Sequence, residues 1–388
     1  MPDFNRVQIL ILSSIEWGAA WQRHQIFASQ LAEAGHEVFF VENSGFRNPG
    51  LRDLDRLWAR IKNLSAPRLA GLRDGLPSNL RVIAPRLLPP TNPLFRRGNA
   101  AIGIPRLIAS LHAAGLGPRP LVMTYFPTAT TLEILRWMEP CAVVYDCAAN
   151  FRAHPQAPAD FPQQEAELLA CANLVICDSD FLYQQKRAEH AHVEQIHQGV
   201  PEGYFKAKPP ARDFRRFCYF GTWREDLEPA FLTALCQAGF EVTVLGPLKS
   251  SPLLPSGVRH VPAVRREELA SRLGAFDAFL LPYRINPFLL GVIPAKIYEC
   301  LALGRPVLAT PLPCFSPMAQ LVHVSDAPAE WVRIARALPQ TETSTLRAER
   351  LALARKHTCA QEFQRFHKAL HAAWERNNQG QAFTNFTL

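Results

Sequence analysis

A lysine and a glutamate stand three residues apart in the stretch GVIPAKIYECLALGRPVLAT, residues 291–310. Pro294 precedes them and fits the first turn of a helix, where a missing backbone N–H costs nothing. The unpaired N–H groups of such a turn, together with the ammonium of Lys296, favour an anion such as phosphate. The carboxylate of Glu299 repels phosphate but accepts hydrogen bonds from hydroxyls, such as those of a ribose. The spacing is equally typical of a minor Lys–Glu pair on a helix surface, so both interpretations stay open.

Small and polar residues follow other predicted strands. Gly221 and Thr222 come directly after the strand in YFGTWRED, where a glycine allows a ligand to approach the backbone or simply forms a turn. Asp146 ends the strand in VVYDC. Further candidates in the first half of the chain are Ser13, Ser14, Trp17, Arg23, His24 and Tyr125. For His24 an ordinary helix histidine, and for Tyr125 core packing, remain alternatives to a functional role.

The elements that must position these residues alternate between apolar strand-like runs and helical patterns. This alternation predicts the α/β class, with two Rossmann-like, doubly wound domains in tandem around an interdomain cleft. We place the first domain at residues 1–200, a Gly- and Pro-rich linker at 201–214 and the second domain at 215–345. Residues 346–388 form a C-terminal helix and tail, the helical pattern spanning 345–377.

Several classes of protein lose support from the sequence. G-x-G-x-x-G, the Walker-type G-x-x-x-x-G-K-[ST] and G-x-S-x-G are all absent, which disfavours dinucleotide oxidoreductases, P-loop enzymes and hydrolases. The nine cysteines form no Cys-x-x-Cys pair and no zinc-spaced cluster with histidine, so we expect no metal and no disulfide framework. The apolar run near the N-terminus is too short for a signal peptide or a membrane span. We therefore expect a cytoplasmic protein.

The net charge of +8 is concentrated in residues 47–106, which hold twelve Arg and Lys residues against three Asp residues. Within this segment, LRDLDRLWARIKNL (51–64) places leucines and a tryptophan on one helical face and arginines on another. A solvated surface helix and a basic amphipathic element on anionic lipid are both consistent with the pattern. No nucleic-acid motif accompanies the charge, so we do not expect a nucleic-acid partner.

The stretch AKIYECLALGRPVLAT resembles the C-terminal signature of family 4 type GT-B glycosyltransferases. The whole chain is similar to a bacterial subgroup that acts in cell-surface polysaccharide synthesis. The segments that carry this resemblance are ILSSIEWGAAWQRHQIFASQLAEAGHEVFFVE, VVYDCAANF, LVICDSDFLYQQKR, IHQGVPEGYF and AFDAFLLPYR, and together they extend over roughly residues 5–315. The resemblance implies a GT-B fold and transfer of a sugar from a nucleoside diphosphate sugar to a glycan or lipid-linked glycan. It also implies that the C-terminal helix crosses back to the first domain.

The resemblance also implies roles for individual residues. Lys296 matches a basic residue that faces the diphosphate, and Glu299 matches the ribose-binding glutamate. Arg284 is a further candidate for the donor or its sugar. The donor nucleotide would be held by Gly221, Thr222, Gly246, Pro247, Val264, Lys296 and Glu299. Catalysis would involve Asp146, Lys296, Arg284 and His24, and the acceptor would lie at Ser13, Ser14, Trp17, Arg23 and Tyr125. The donor is a co-substrate, and neither a cofactor nor a metal is expected.

Two departures from the family pattern affect the expected chemistry. Gly291 stands where the first glutamate of the family's E-x7-E pattern is expected. Ala149 and Asn150 stand where relatives typically have acids, which leaves Asp146 as the main carboxylate there. Retention assisted by the donor phosphate needs no protein base and is favoured over inversion. A nucleotide-sugar epimerase of the same fold and a catalytically reduced nucleotide-sugar-binding scaffold are the alternatives. A lipid-linked acceptor would place the protein at the inner face of the membrane.

Overall fold

The computed structural model describes residues 4–19, 21–42, 76–90, 92–207, 213–249 and 252–378. The chain divides into two compact units, the first formed by Met1–Gln198 with Phe363–Leu388 and the second by Gly199–Glu362. Each unit contains one parallel β-sheet with helices packed against it, which confirms the predicted α/β class.

The first unit is built on a seven-stranded sheet with the order β3-β2-β1-β4-β5-β6-β7. The central strand β1 pairs in parallel with both β2 and β4. Strands β1, β2, β4, β5 and β6 are buried along their whole length, as expected for a parallel sheet with both faces covered. The strands are β1 (Ile9–Leu12), β2 (Val38–Val41), β3 (Leu80–Ile83), β4 (Leu121–Thr124), β5 (Ala142–Cys147), β6 (Leu174–Cys177) and β7 (Val193–Gln195).

The helices of the first unit cover two apolar cores, one on each face of the sheet. Helix α2 continues through a π-helical turn, Asn99–Gly103, directly into α3. The helices that precede the second unit are α1 (Arg23–Glu33), α2 (Pro93–Gly98), α3 (Ile104–Ala113), α4 (Ala129–Met138), α5 (Phe161–Cys171) and α6 (Asp180–Arg187).

The second unit repeats the same strand arrangement with six strands, in the order β10-β9-β8-β11-β12-β13. Its strands are β8 (Arg216–Phe220), β9 (Glu241–Leu245), β10 (Arg259–Val261), β11 (Ala278–Leu281), β12 (Val307–Ala309) and β13 (His323–Val324). Its helices are α7 (Pro229–Gln237), α8 (Arg266–Leu273), α9 (Lys296–Ala302), α10 (Pro328–Thr341) and α11 (Ser344–Arg355). In both sheets the order of the strands reverses beside the first strand of the unit, between β1 and β4 and between β8 and β11. Open α/β sheets bind ligands at the carboxyl ends of the strands at such a point.

The C-terminal helical pattern is divided between the two units. The pattern 345–377 predicts one helix, but the structure has α11 in the second unit and α12 (Cys359–Asn378) almost entirely in the first. The break arises because Val200 lies between the two helices: its N–H donates to His357 O at 2.8 Å, and its carbonyl accepts from Cys359 N at 3.0 Å. Phe366 of α12 is buried and stacks on Phe27 of α1 at 4.3 Å. The predicted return of the C-terminal helix to the first domain is confirmed.

Two predicted segments lie wholly or partly outside the described residues. The basic amphipathic pattern 51–64 is one of them, so its proposed contact with lipid stays a prediction. Of the predicted linker 201–214, residues 208–212 are not described, whereas Glu202–Lys206 forms a 3-10 turn and Tyr204 is buried in the core of the second unit. None of the helices in the described ranges is long and apolar enough to cross a membrane.

Candidate functional site

Two glycines bring the loops after β8 and β9 into direct contact in the second unit. Gly221 has φ +113° and Gly246 has φ +142°, conformations that other residues rarely adopt. The N–H of Gly221 donates to Leu245 O at 2.8 Å. A Cβ on Gly246 would clash with the carbonyl oxygen of Gly221. The loops therefore require glycine at both positions, and they leave main chain bare of side chains at the carboxyl ends of two central strands.

Lys296 lies against the first of these glycine loops. Helix α9 begins at Lys296, two residues later than the predicted start at Pro294. The residues between them form a tighter turn, because the N–H of Ile297 donates to Pro294 O at 2.9 Å. A Cβ on Gly221 would lie 2.6 Å from the Cε of Lys296. The Nζ atom donates to the hydroxyl of Tyr283 at 3.2 Å. Its position is therefore fixed from two sides.

Two tyrosine rings surround the ammonium of Lys296. Its Nζ lies 5.0 Å from the ring centre of Tyr219 and 5.8 Å from that of Tyr283, within the range of cation–π attraction. Burial alone would lower the pKa of Lys296, but the two tyrosine oxygens raise it above its usual value. Burial also raises the pKa of Tyr219 to about 12, so its phenol is neutral at neutral pH. The site therefore holds a cation beside the neutral phenol of Tyr219.

A second cation lies near this group. Arg224, three residues after Gly221, pairs with Asp226 at 2.6 Å and keeps about half of its side chain exposed. Its charge acts on both Lys296 and Tyr219. Sequence reasoning missed Arg224, Tyr219 and Tyr283. The available signal was their place at the carboxyl ends of β8 and β11, but an aromatic residue ending a strand is more typical of core packing.

Glu299 lies on the same helix as Lys296 and is half-buried. Burial raises the pKa of Glu299 to about 7, although the Tyr204 hydroxyl and the charges of Lys296 and Arg266 act in the opposite direction. The carboxyl therefore changes charge close to neutral pH. Gly291, in the 3-10 turn Leu289–Gly291, is buried and brings no carboxylate to this region.

The remaining predicted residues of the second unit are placed less tightly. The carbonyl of Thr222 accepts the Tyr219 hydroxyl at 2.9 Å, and that of Pro247 accepts Trp223 N–H at 2.8 Å. Arg284 is half-exposed and pairs with Glu228 at 3.3 Å, while its N–H donates to Asp226 O at 2.8 Å. Val264 is half-buried against the core of the second unit. The structure thus joins Gly221, Thr222, Gly246 and Lys296 by contact and places Arg284 beside the Arg224 loop.

In the first unit, Arg23 and Asp146 form a buried ion pair. Both carboxylate oxygens of Asp146 lie 2.9 Å from guanidinium nitrogens, and Asp146 is fully buried. Arg23 also pairs with Asp178 at 3.1 Å and donates to Ile196 O at 3.1 Å. Burial raises the pKa of Asp146 to about 6 despite the arginine. Asp146 and Arg23 are thus buried together, and their ion pairs tie α1 to the ends of β5 and β6.

His24 differs from its neighbour Arg23 in having one free ring nitrogen. Its Nε2 lies 2.7 Å from the hydroxyl of Ser14, and its ring stacks on Tyr125 at 3.7 Å. Its Nδ1 is buried and has no hydrogen-bond partner in the part of the chain that is described. Burial, followed by the charge of Arg23, lowers the pKa of His24 well below its usual value. The imidazole is therefore neutral, and the half-buried Ser14 is the residue through which a ligand would reach it.

The other predicted acceptor residues face inward. Ser13 is buried and bonds to the backbone of Ile15 at 3.0 and 3.1 Å, which forms a turn. Trp17 is buried against Phe40, and its backbone N–H donates to the Glu42 carboxylate at 2.8 Å. Tyr125 is fully buried beneath His24. Of the predicted acceptor residues, Ser14 alone keeps appreciable exposure within the described ranges.

No group of three or more His, Cys, Asp or Glu side chains within the described ranges could hold a metal ion. In the second unit, Lys296 and Arg224 supply positive charge close to the Gly221 loop.

Comparison with solved structures identifies the fold. The chain is similar to Anabaena HepE in complex with UDP-glucose, with a TM-score of 0.62, 14% identity and coverage of 95% of this chain and 100% of HepE. It is also similar to sucrose-phosphate synthase from Thermosynechococcus elongatus, with a TM-score of 0.60, 17% identity and coverage of 96% and 98%. For α,α-trehalose 6-phosphate synthase from Burkholderia multivorans, the TM-score is 0.60, the identity 11% and the coverage 96% and 99%.

The chain therefore has the GT-B fold, as predicted. No family model and no curated protein sequence matches it.

Proposed function

We propose that the chain is a glycosyltransferase that moves a sugar from a nucleoside diphosphate sugar to a glycan or lipid-linked glycan acceptor. The observation that carries this proposal is the unneutralised cation of Lys296. Within the described residues it forms no ion pair with a carboxylate, yet the Gly221 loop and Tyr283 hold it at the strand ends. A half-buried cation that forms no ion pair with a carboxylate is a suitable partner for an anionic ligand such as a diphosphate.

The parts of the site support a division of tasks. The diphosphate would lie at Lys296 and the glycine loops, where charge that develops on the leaving group is stabilised. Arg224 and Arg284 would add positive charge. Glu299 would accept hydrogen bonds from the ribose, and the loops at Pro247 and Val264 would border the nucleobase. We propose no metal for this step, because protein cations supply the neutralisation.

The acceptor side supports retention of configuration. The buried ion pair of Asp146 with Arg23 leaves that carboxylate unable to serve as an acceptor base, and Ala149 has no ionisable group. Attack assisted by the donor phosphate requires neither. Ser14, with His24 behind it, would meet the acceptor. The proposed setting is surface polysaccharide synthesis at the inner face of the membrane, supported by the positive charge of residues 47–106.

The proposal is tested first by nucleotide binding. The purified protein is titrated calorimetrically with UDP, GDP, ADP and CDP, and thermal unfolding is followed with the corresponding sugar donors, since a tight donor raises the melting temperature by mass action. At least one diphosphate should bind, and Lys296→Met should weaken that binding. If none of the four diphosphates binds and no donor raises the melting temperature, the proposal fails.

Product analysis then separates the three enzyme and binding alternatives. A transferase releases nucleoside diphosphate in proportion to the glycan acceptor supplied. An epimerase converts the donor with no acceptor present. A nucleotide-sugar-binding scaffold binds the donor but shows neither reaction with any acceptor pool.

A further inference from the structure

The two tyrosines beside Lys296 use their hydroxyl protons differently. The Tyr219 hydroxyl donates a hydrogen bond to Thr222 O at 2.9 Å. The Tyr283 oxygen instead accepts a hydrogen bond from Lys296 at 3.2 Å, because an ammonium can only donate. No acceptor for the Tyr283 proton occurs within the ranges that the structure describes. Since Tyr283 is only 6% exposed, its hydroxyl has an unused donor at a partly buried place.

We infer that the Tyr283 hydroxyl is a further ligand-binding group of this site and donates a hydrogen bond to a phosphate oxygen of the nucleoside diphosphate beside Lys296. This inference rests on the proposed function and adds to it a residue to which no role is assigned above. Lys296 and Tyr283 would then act as a pair of donors on one anion, Lys296 through its charge and Tyr283 through a directed hydrogen bond.

Two physical effects support this assignment. A hydroxyl that accepts a hydrogen bond from an ammonium is polarised and becomes a stronger donor through its own proton. A donor left unpaired in a partly buried site is also costly, and a phosphate oxygen would remove that cost. Both effects favour an anion over a neutral ligand at this place.

The backbone of Tyr283 is held at two points. Tyr283 N–H donates to Leu281 O at 3.0 Å, and Tyr283 forms an antiparallel bridge with Leu227. Residue 283 is therefore tied both to the end of β11 and to the loop that follows β8. Tyr219, whose proton is already used within the loop, is a positioning residue that keeps Thr222 and the ammonium in place.

The test compares Tyr283→Phe with the wild-type protein, using a diphosphate and its nucleoside as probes. UDP, GDP, ADP and CDP are titrated calorimetrically, and the tightest of them is compared with its own nucleoside, titrated by NMR. Phenylalanine keeps the ring but removes the hydroxyl. We expect the diphosphate to bind about tenfold more weakly, as for loss of one hydrogen bond to a charged group, and the nucleoside to bind as before. The ratio of the two affinities within one variant reports only on folded protein.

Tyr183→Phe is the matched control. The Tyr183 ring also lies near a cation, with Arg187 at 5.5 Å, but it belongs to the first unit. Removal of the Tyr183 hydroxyl should leave the affinities for the diphosphate and for the nucleoside unchanged.

Equal binding of the diphosphate by Tyr283→Phe and wild type would overturn the inference while leaving the proposed function intact. An equal loss of diphosphate and nucleoside affinity would overturn it too, because the residue would then be merely structural. If the wild-type protein binds none of the four diphosphates, the inference and the proposed function fall together.

Discussion

The Cε atom of Lys296 occupies the space that a side chain at Gly221 would need. A Cβ built on Gly221 would lie 2.6 Å from Cε and 3.0 Å from Nζ. The glycine and the lysine are 75 positions apart in the sequence, yet each defines where the other can be. The absence of a side chain at residue 221 therefore sets the position of the cation at the strand ends.

Gly221→Ala should displace Lys296 and weaken binding of the nucleoside diphosphate by about tenfold or more, because a charge-assisted hydrogen bond would be lost. Because residue 221 has a left-handed backbone, alanine at this position should also lower the free energy of unfolding by about 1–3 kcal/mol. Calorimetry and urea unfolding measure the two effects. Gly239→Ala is the control: Gly239 has φ +89°, but a Cβ there would meet no atom within 4 Å, so that change should lower stability without changing binding. Wild-type diphosphate affinity in Gly221→Ala would contradict the assigned position of Lys296.

Substitution of Lys186 should lower the free energy of unfolding more than most other single changes in the first unit. It is 1% exposed and pairs with Glu165 at 3.0 Å and Glu189 at 2.7 Å. Lys186→Met would leave the buried Glu165 with less compensation and should lower the free energy of unfolding by about 3–5 kcal/mol in urea titrations. Arg265→Met, which removes an exposed helix pair with Glu268, should have no measurable effect. Equal effects of the two changes would show that the buried network does not stabilise the unit.

Asp146→Asn separates a structural role from a catalytic one. If Asp146 served as acceptor base, the change should lower kcat by about 10²–10⁴ without loss of stability. The buried pair with Arg23 instead predicts lower thermal stability and a kcat, corrected for folded protein, within about tenfold of wild type. Steady-state kinetics with a glycan acceptor, together with thermal unfolding, distinguish the two. A large fall in kcat at unchanged melting temperature would restore the catalytic role.

The sequence was informative where local chemistry determines the structure. Alternating patterns were sufficient for the two parallel sheets, and the glycines after β8 and β9 mark the loops that lie against each other. Lys296 and Glu299 were found because they share one short helix. These features depend on neighbours within a few residues or on the repeated strand–helix unit.

Features that depend on long-range pairing could not be read in the same way. Asp146 is buried because it pairs with Arg23, 123 positions away. The residues next to it in VVYDC do not indicate this pairing. The break between α11 and α12 follows from pairing with Val200, although the helical pattern continues through residues 356–358. In the sequence Tyr283 resembles a core residue. Only the structure shows that its hydroxyl accepts a hydrogen bond from Lys296.

Glu299 should make nucleoside binding and folding respond to pH in opposite directions. Its pKa in the folded protein is about 7, against 4.5 ordinarily, and burial is the main cause. The folded state therefore holds a proton that the unfolded chain releases near pH 4.5. The contribution of Glu299 to stability must fall as the pH rises from about 4.5 to 7. In Glu299→Gln this part of the pH dependence of urea unfolding should disappear.

Binding should follow the ionised carboxylate, which is the better acceptor for ribose hydroxyls. The affinity for the nucleoside, which carries no phosphate to titrate, should therefore rise between pH 6 and 8 in the wild-type protein and stay level in Glu299→Gln. Glu267→Gln, at an exposed position of α8, should retain the wild-type profile. NMR titrations at three pH values are sufficient. A wild-type affinity that is flat or falls over this range would show that the Glu299 carboxylate does not bind the ribose, even if the diphosphate binds at Lys296.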